Sequence, residues 1–146
     1  MRTVKARAKP EPLSQHQIKA GEYLRLDLAV AHEALPMVRS ITRKAAEELK
    51  PLQWHLNNRV PADPRNVQLR QAYEEVVSAW TGKIERLGFK VFGLWQVGFD
   101  GGLGWYGWQH PECSIRYFLE YDALFSGRCL IREHERNQGM FRIFRK

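Results

Sequence analysis

Residues 89–108 read FKVFGLWQVGFDGGLGWYGW and hold six of the chain's eleven glycines and three of its five tryptophans. Large apolar side chains alternate with smaller or polar ones at period two, interrupted by Asp100-Gly101-Gly102. That pattern predicts a β-hairpin. Its first strand would place Val91, Trp95, Val97 and Phe99 on one face, and Lys90, Phe92, Leu94 and Gln96 on the other. A two-residue Asp-Gly turn would pair Gly93 with Trp108, and a three-residue turn would pair Trp95 with Gly107. In either register an aromatic ring covers a glycine and shields the backbone there.

A long region of helical period precedes this hairpin. Tyr23–Leu26 reads as a short strand, and Asp27 as the N-cap of a helix over residues 28–58. Val38, Ile41, Ala45, Leu49, Leu52 and Leu56 recur at steps of three and four, one apolar face opposite Arg39, Arg43, Lys44, Glu47, Glu48 and Lys50. Pro36 and Pro51 each remove a backbone donor, so a kink is expected at both. Asn57–Ala62 is a short connection. Asp63 and Pro64 announce a second helix over residues 64–87, with Leu69, Tyr73, Val76, Trp80, Ile84 and Leu87 on one face and Gly88 as its stop. Two long amphipathic helices joined by a short loop form an antiparallel hairpin.

After the β-hairpin, His110–Cys113 is a tight link. Ser114–Tyr121 is expected as a third strand and Cys129–Ile131 as a short fourth. The fold class is therefore α+β: an antiparallel hairpin of two long helices packed on a three- to four-stranded antiparallel sheet. The division expected is a flexible basic arm over 1–22, one α+β domain over 23–131, and a basic extension over 132–146.

The 146 residues carry a net charge of +7. Residues 1–22 hold five basic and two acidic side chains, and 127–146 hold six and two; the body, 23–126, holds twelve of each. The body is balanced and the surplus belongs to the ends. There is no apolar run long enough to span a bilayer and no apolar signal segment, so a soluble cytoplasmic protein is expected. The two cysteines are too few for a disulfide scaffold.

Two separated stretches carry a family resemblance. Leu26-Asp27-Leu28-Ala29-Val30-Ala31-His32-Glu33-Ala34-Leu35-Pro36-Met37-Val38 looks like the family's opening, where a Leu-Pro pair introduces a long helix. Glu112, Ile115, Phe118 and the run Phe125-Ser126-Gly127-Arg128 fall at its spacing, and Gly93-Leu94 and Trp108 match between them. The chain thus resembles, over most of residues 24–131, the uncharacterised bacterial family catalogued as domain of unknown function 2203. The resemblance implies helices followed by a small sheet, and no activity. Gln96 and Leu119 stand where the family tends to have Asp and His, so any chemistry those positions carry in relatives is absent here.

Candidate chemistry weighs as follows. His110, Cys113, Cys129 and His134 contain a His-x2-Cys spacing, but Pro111 and Glu112 between the first pair read as turn residues, and structural zinc needs closely spaced ligand pairs. Glu120 and Asp122, with Arg116 or His110, contain the residues of an acid–base pair; on one strand face Glu120 and Arg116 read as an ordinary ion pair. Gly98-x-x-Gly101-Gly102 lacks the phosphate-loop spacing, and no helix follows it. Phe125–Arg128 reads as a turn whose arginine clamps Asp122 or Glu120, in preference to an anion site.

A nucleic-acid reading would use the basic ends, with Trp95, Trp105, Tyr106, Trp108 and Phe141 as a stacking surface. The competing reading, that these rings are the sheet's core against the helices, is favoured. Polyanion contacts, if made, would fall to Arg2, Lys5, Arg7, Lys9, Arg142, Arg145 and Lys146. No catalytic residue, cofactor or metal is assigned. The function expected is a non-catalytic interaction module acting through its helical hairpin on a protein partner or a second copy. A nucleic-acid-associated protein is the alternative, and a small enzyme without a recognisable motif the third reading.

Overall fold

Asp27 opens the first helix as its cap: its carboxylate accepts the Val30 N–H at 2.9 Å. Helix α1 then runs Leu28–Asn57 and α2 runs Arg65–Arg86. A computed structural model describes residues 23–132, and within it five strands follow: β1 Lys90–Gly93, β2 Gln96–Asp100, β3 Trp105–Gln109, β4 Tyr117–Leu119 and β5 Cys129–Leu130. They form one antiparallel sheet in sequential order. The α+β class and the helical hairpin are as expected. The arm over 1–22 and nearly all of the extension over 132–146 lie outside the described residues.

Three local features refine the expectation. First, α1 runs on as one helix, close to the expected 28–58, with Pro36 and Pro51 inside it. Each proline leaves a carbonyl one turn back without its partner, at His32 and Glu47; both residues are exposed, so water can satisfy them. Second, the sheet has five strands because the first predicted strand is two. A tight turn at Leu94-Trp95 folds β1 back on β2, with Trp95 at φ 63°.

Third, the register of the glycine-rich hairpin is neither of the two considered: Val97 pairs with Trp108 and Gly98 with Gly107. The loop is Gly101–Gly104, held by Asp100, whose Oδ1 accepts the Gly102 N–H at 2.9 Å and the Tyr121 hydroxyl at 2.6 Å. The third strand is trimmed to Tyr117–Leu119, and Tyr23–Leu26 contributes a single parallel bridge from Arg25 to Asp100.

The helices cover one face of the sheet. Ala31, Leu35, Val38 and Ala45 of α1 and Trp80 and Ile84 of α2 pack with Phe89, Val97, Phe99, Trp108 and Ile115. Trp80 donates its indole N–H to the Thr42 hydroxyl at 2.9 Å, a buried link between the two helices. Its ring meets Trp95 edge-on at 4.8 Å. The other sheet face is closed by the chain itself. The paired glycines 98 and 107 leave a trough into which Phe92, Phe125 and the stem of Arg128 are laid; a Cβ on Gly98 would stand 2.4 Å from the Phe92 ring. Trp105, Leu119 and Phe125 form a second small core there.

Candidate functional site

The core is built at one end of the helical hairpin. Leu49 is the last buried residue of α1 and Trp80 the first buried hydrophobic residue of α2. Between them, residues 50–79 contain one buried side chain, the polar Asn66. The sheet stops short of this distal arm, so its seam of Leu52, Leu56, Leu69 and Tyr73 is only half-buried. Trp54, Val60 and Val67 are 62%, 70% and 58% exposed around its tip.

That tip is tied down by polar contacts. Asp63 accepts the Arg65 backbone N–H at 2.9 Å, and its carboxylate takes the guanidinium groups of Arg65 at 2.8 Å and Arg59 at 3.2 Å. These bonds, Arg65 first, hold the Asp63 carboxyl well below the usual carboxylate range. Asn66 donates its amide to the carbonyls of Val60 at 2.9 Å and Pro61 at 3.3 Å.

A second feature lies at the sheet end. Pro36, Arg39, Ser40 and Arg43 recur on one flank of α1, and His110 and Pro111 from the β3–β4 connection close over them, leaving a cleft of about 310 Å³. The His110 N–H is donated to the Trp95 carbonyl at 3.0 Å, which fixes the connection against the β1–β2 turn. Partial burial lowers the His110 pKa; the positive charges of Arg39 and then Arg43 lower it further, while Glu47 opposes them. Arg39 and Arg43 make no ion pair or side-chain hydrogen bond among the described residues, whereas Arg25, Arg59, Arg65 and Arg128 each face a carboxylate.

The clamp expected at Arg128 exists with a different partner. Its guanidinium donates to both Glu112 oxygens at 3.1 Å and to the Gly107 carbonyl at 3.2 Å, and lies over the rings of Tyr117 and Phe125. Asp122 and Glu120 are exposed and, like Arg116, make no ion pair among the described residues. The antiparallel path from β3 to β4 brings Glu112 to Arg128, while the turn carries Asp122 away. The resulting pair fastens the loop and leaves no anion site on that turn.

Other candidates are dispersed. Cys113 and Cys129 are free and exposed, and no cluster of three potential metal ligands occurs among the described residues; His134 lies outside them. Trp105 and Trp108 are buried and Tyr106 and Trp95 half-buried. Trp95, Tyr106 and Trp108 belong to the core against the helices, as favoured, whereas Trp105 belongs to the small core on the other face, and these four rings offer no open stacking surface. Arg2, Lys5, Arg7, Lys9, Phe141, Arg142, Arg145 and Lys146 lie outside the described residues. No helix among the described residues is long and apolar enough to cross a membrane.

The cationic cleft was not foreseen. Arg39 and Arg43 are legible as neighbours one turn apart, but only the tertiary fold sets His110 against them. Searches against family models, curated proteins and solved structures returned no match to this chain.

Proposed function

We propose that the protein is a non-catalytic interaction module, and that the distal arm of its helical hairpin is the interacting surface. One observation carries this reading: residues 50–79 contain a single buried side chain while presenting Trp54, Val60 and Val67 to solvent. A pair of amphipathic helices cannot bury two apolar seams against each other alone; a third or fourth helix completes the layer. Tryptophan is also among the residues enriched at interface hot spots, and the tip is held by Asp63 and Asn66 before any partner arrives.

The occupant that this surface fits with no further component is a second copy of the chain. Two arms related by a twofold axis make a four-helix bundle, with the same patch used on both sides. Residues 50–79 carry four basic and three acidic side chains, so little charge repulsion opposes self-association.

Sedimentation of the full chain at rising concentration tests this. A dimer is expected, reduced to monomer by Trp54→Asp with Val67→Asp at an unchanged thermal midpoint. A wild-type chain that stays monomeric at high micromolar concentration rejects self-association. A dimer that survives the double substitution places the interface elsewhere.

A further inference from the structure

We infer that the cleft between α1 and the β3–β4 connection is a binding site for the phosphate group of a small phosphomonoester, held by Arg39, Arg43 and His110. This rests on different residues from the distal arm and stands or falls separately.

Arg39 and Arg43 are one helical turn apart on an exposed flank, where like charges at that spacing destabilise a helix. Neither has a carboxylate within ion-pair distance among the described residues, and the two line one cleft together with His110. Glu47 is the acid that acts on His110 from α1, and its effect is smaller than that of either arginine. The cleft therefore holds a local positive field that Glu47 only partly offsets, inside a body whose residues 23–126 carry twelve charges of each sign.

The chemistry narrows the ligand. Two guanidinium forks offer parallel N–H donors to an oxyanion. The imidazole adds a third donor and takes up a proton when a negative charge arrives. Ser40 supplies a hydroxyl at the cleft wall. A carboxylate needs one such fork; a phosphate dianion uses both and the imidazole. The volume of this open cleft, about 310 Å³, is at the lower end of the roughly 300–1,000 Å³ typical of small-ligand sites.

Ser40 also lines the adjoining α1–α2 groove, together with Lys44, Glu47, Glu48 and Lys83. That mixed-charge groove suits the polar body of the same small molecule. A nucleic-acid backbone would need a continuing basic track, whereas the adjoining groove mixes Lys44 and Lys83 with Glu47 and Glu48.

The probes are inorganic phosphate, sulfate, methyl phosphate and dimethyl phosphate, followed by the side-chain resonances of His110, Arg39 and Arg43 in the wild-type chain. Phosphate, sulfate and methyl phosphate should shift all three saturably, and sulfate, which does not itself titrate near neutrality, should raise the His110 pKa. The diester should bind about tenfold more weakly, since it lacks one charge. Arg39→Gln with Arg43→Gln should weaken methyl phosphate by about a hundredfold, about tenfold for each charged hydrogen-bond donor removed, at an unchanged thermal midpoint. Trp54→Asp should leave it unaffected.

Absence of any saturable His110 shift would overturn the site, and so would binding that is undiminished in the double variant. Equal affinity for dimethyl phosphate, or tight salt-dependent binding of a single-stranded oligonucleotide, would reject the small phosphomonoester in favour of a nucleic-acid contact.

Discussion

His110 couples a backbone position to a charge. Its ring is partly buried with Arg39 and Arg43 facing it and Glu47 partly offsetting them, so its folded pKa lies below the ordinary 6.5. The unfolded chain then binds the proton more readily, and stability must fall as pH drops through about 6.5 towards the folded value. Replacing His110 with Asn should flatten that part of a stability–pH profile measured by urea titration. An unchanged profile would mean that the ring is freely solvated.

At this scale the sequence was only partly legible. The helix cap at Asp27, the stop at Gly88 with φ 97° and the clamp at Arg128 follow from residue type. The clamp's partner did not. Asp122 and Glu120 are close in sequence, but Glu112, 16 residues away, has its carboxylate also anchored by the Gln109 N–H at 2.9 Å. Proximity along the chain lost to a position fixed in space.

Among the elements, the β1–β2 turn is where local rules and the fold disagree. Trp95, φ 63°, occupies a left-handed position that glycine normally fills. Nothing in the residue's intrinsic preference predicts a turn there, which explains why the period-two pattern reads as one long strand. The register of the next hairpin differs because its loop has four residues, Gly101–Gly104. The conformation is held from outside, by the Trp80 ring at 4.8 Å and by the His110 N–H on the Trp95 carbonyl.

A pair of substitutions separates the two contributions. Trp95→Ala and Trp95→Gly lose nearly the same packing, but only glycine relieves the backbone. The glycine variant should therefore be the more stable of the two by about 1 kcal/mol in chemical denaturation. Equal stabilities would show that the backbone at Trp95 carries no strain. The helices, by contrast, were legible because their apolar period is strong. Both prolines lie on the exposed side of α1.

On the scale of the whole molecule, the two ends of the helical hairpin should differ in stability. The sheet end has a layered core and the buried Trp80–Thr42 hydrogen bond; the arm from 50 to 79 has neither. Native-state hydrogen exchange should find α2 amides around 68–77 opening well before those around 80–86 and the β2–β3 pairs. Self-association through the arm should slow the first group selectively. Uniform protection along α2 would show that the hairpin opens as one unit. Charge balance told in advance that the body was neutral, but not that Arg39 and Arg43 would line one cleft with His110, because that is decided by the tertiary neighbours of each side chain.

The sequential strand order has a consequence for how the chain is made. Each strand pairs with the one synthesised just before it, so the sheet can be laid down in the order of translation with only short loops to close. Both helices, however, leave the ribosome before any strand. Until residues 89–119 follow, Val38, Trp80 and Ile84 have each other but no sheet to cover them. The nascent hairpin is thus sticky along its whole length, and the strands convert one half of it to core as they emerge, leaving the other half only partly covered.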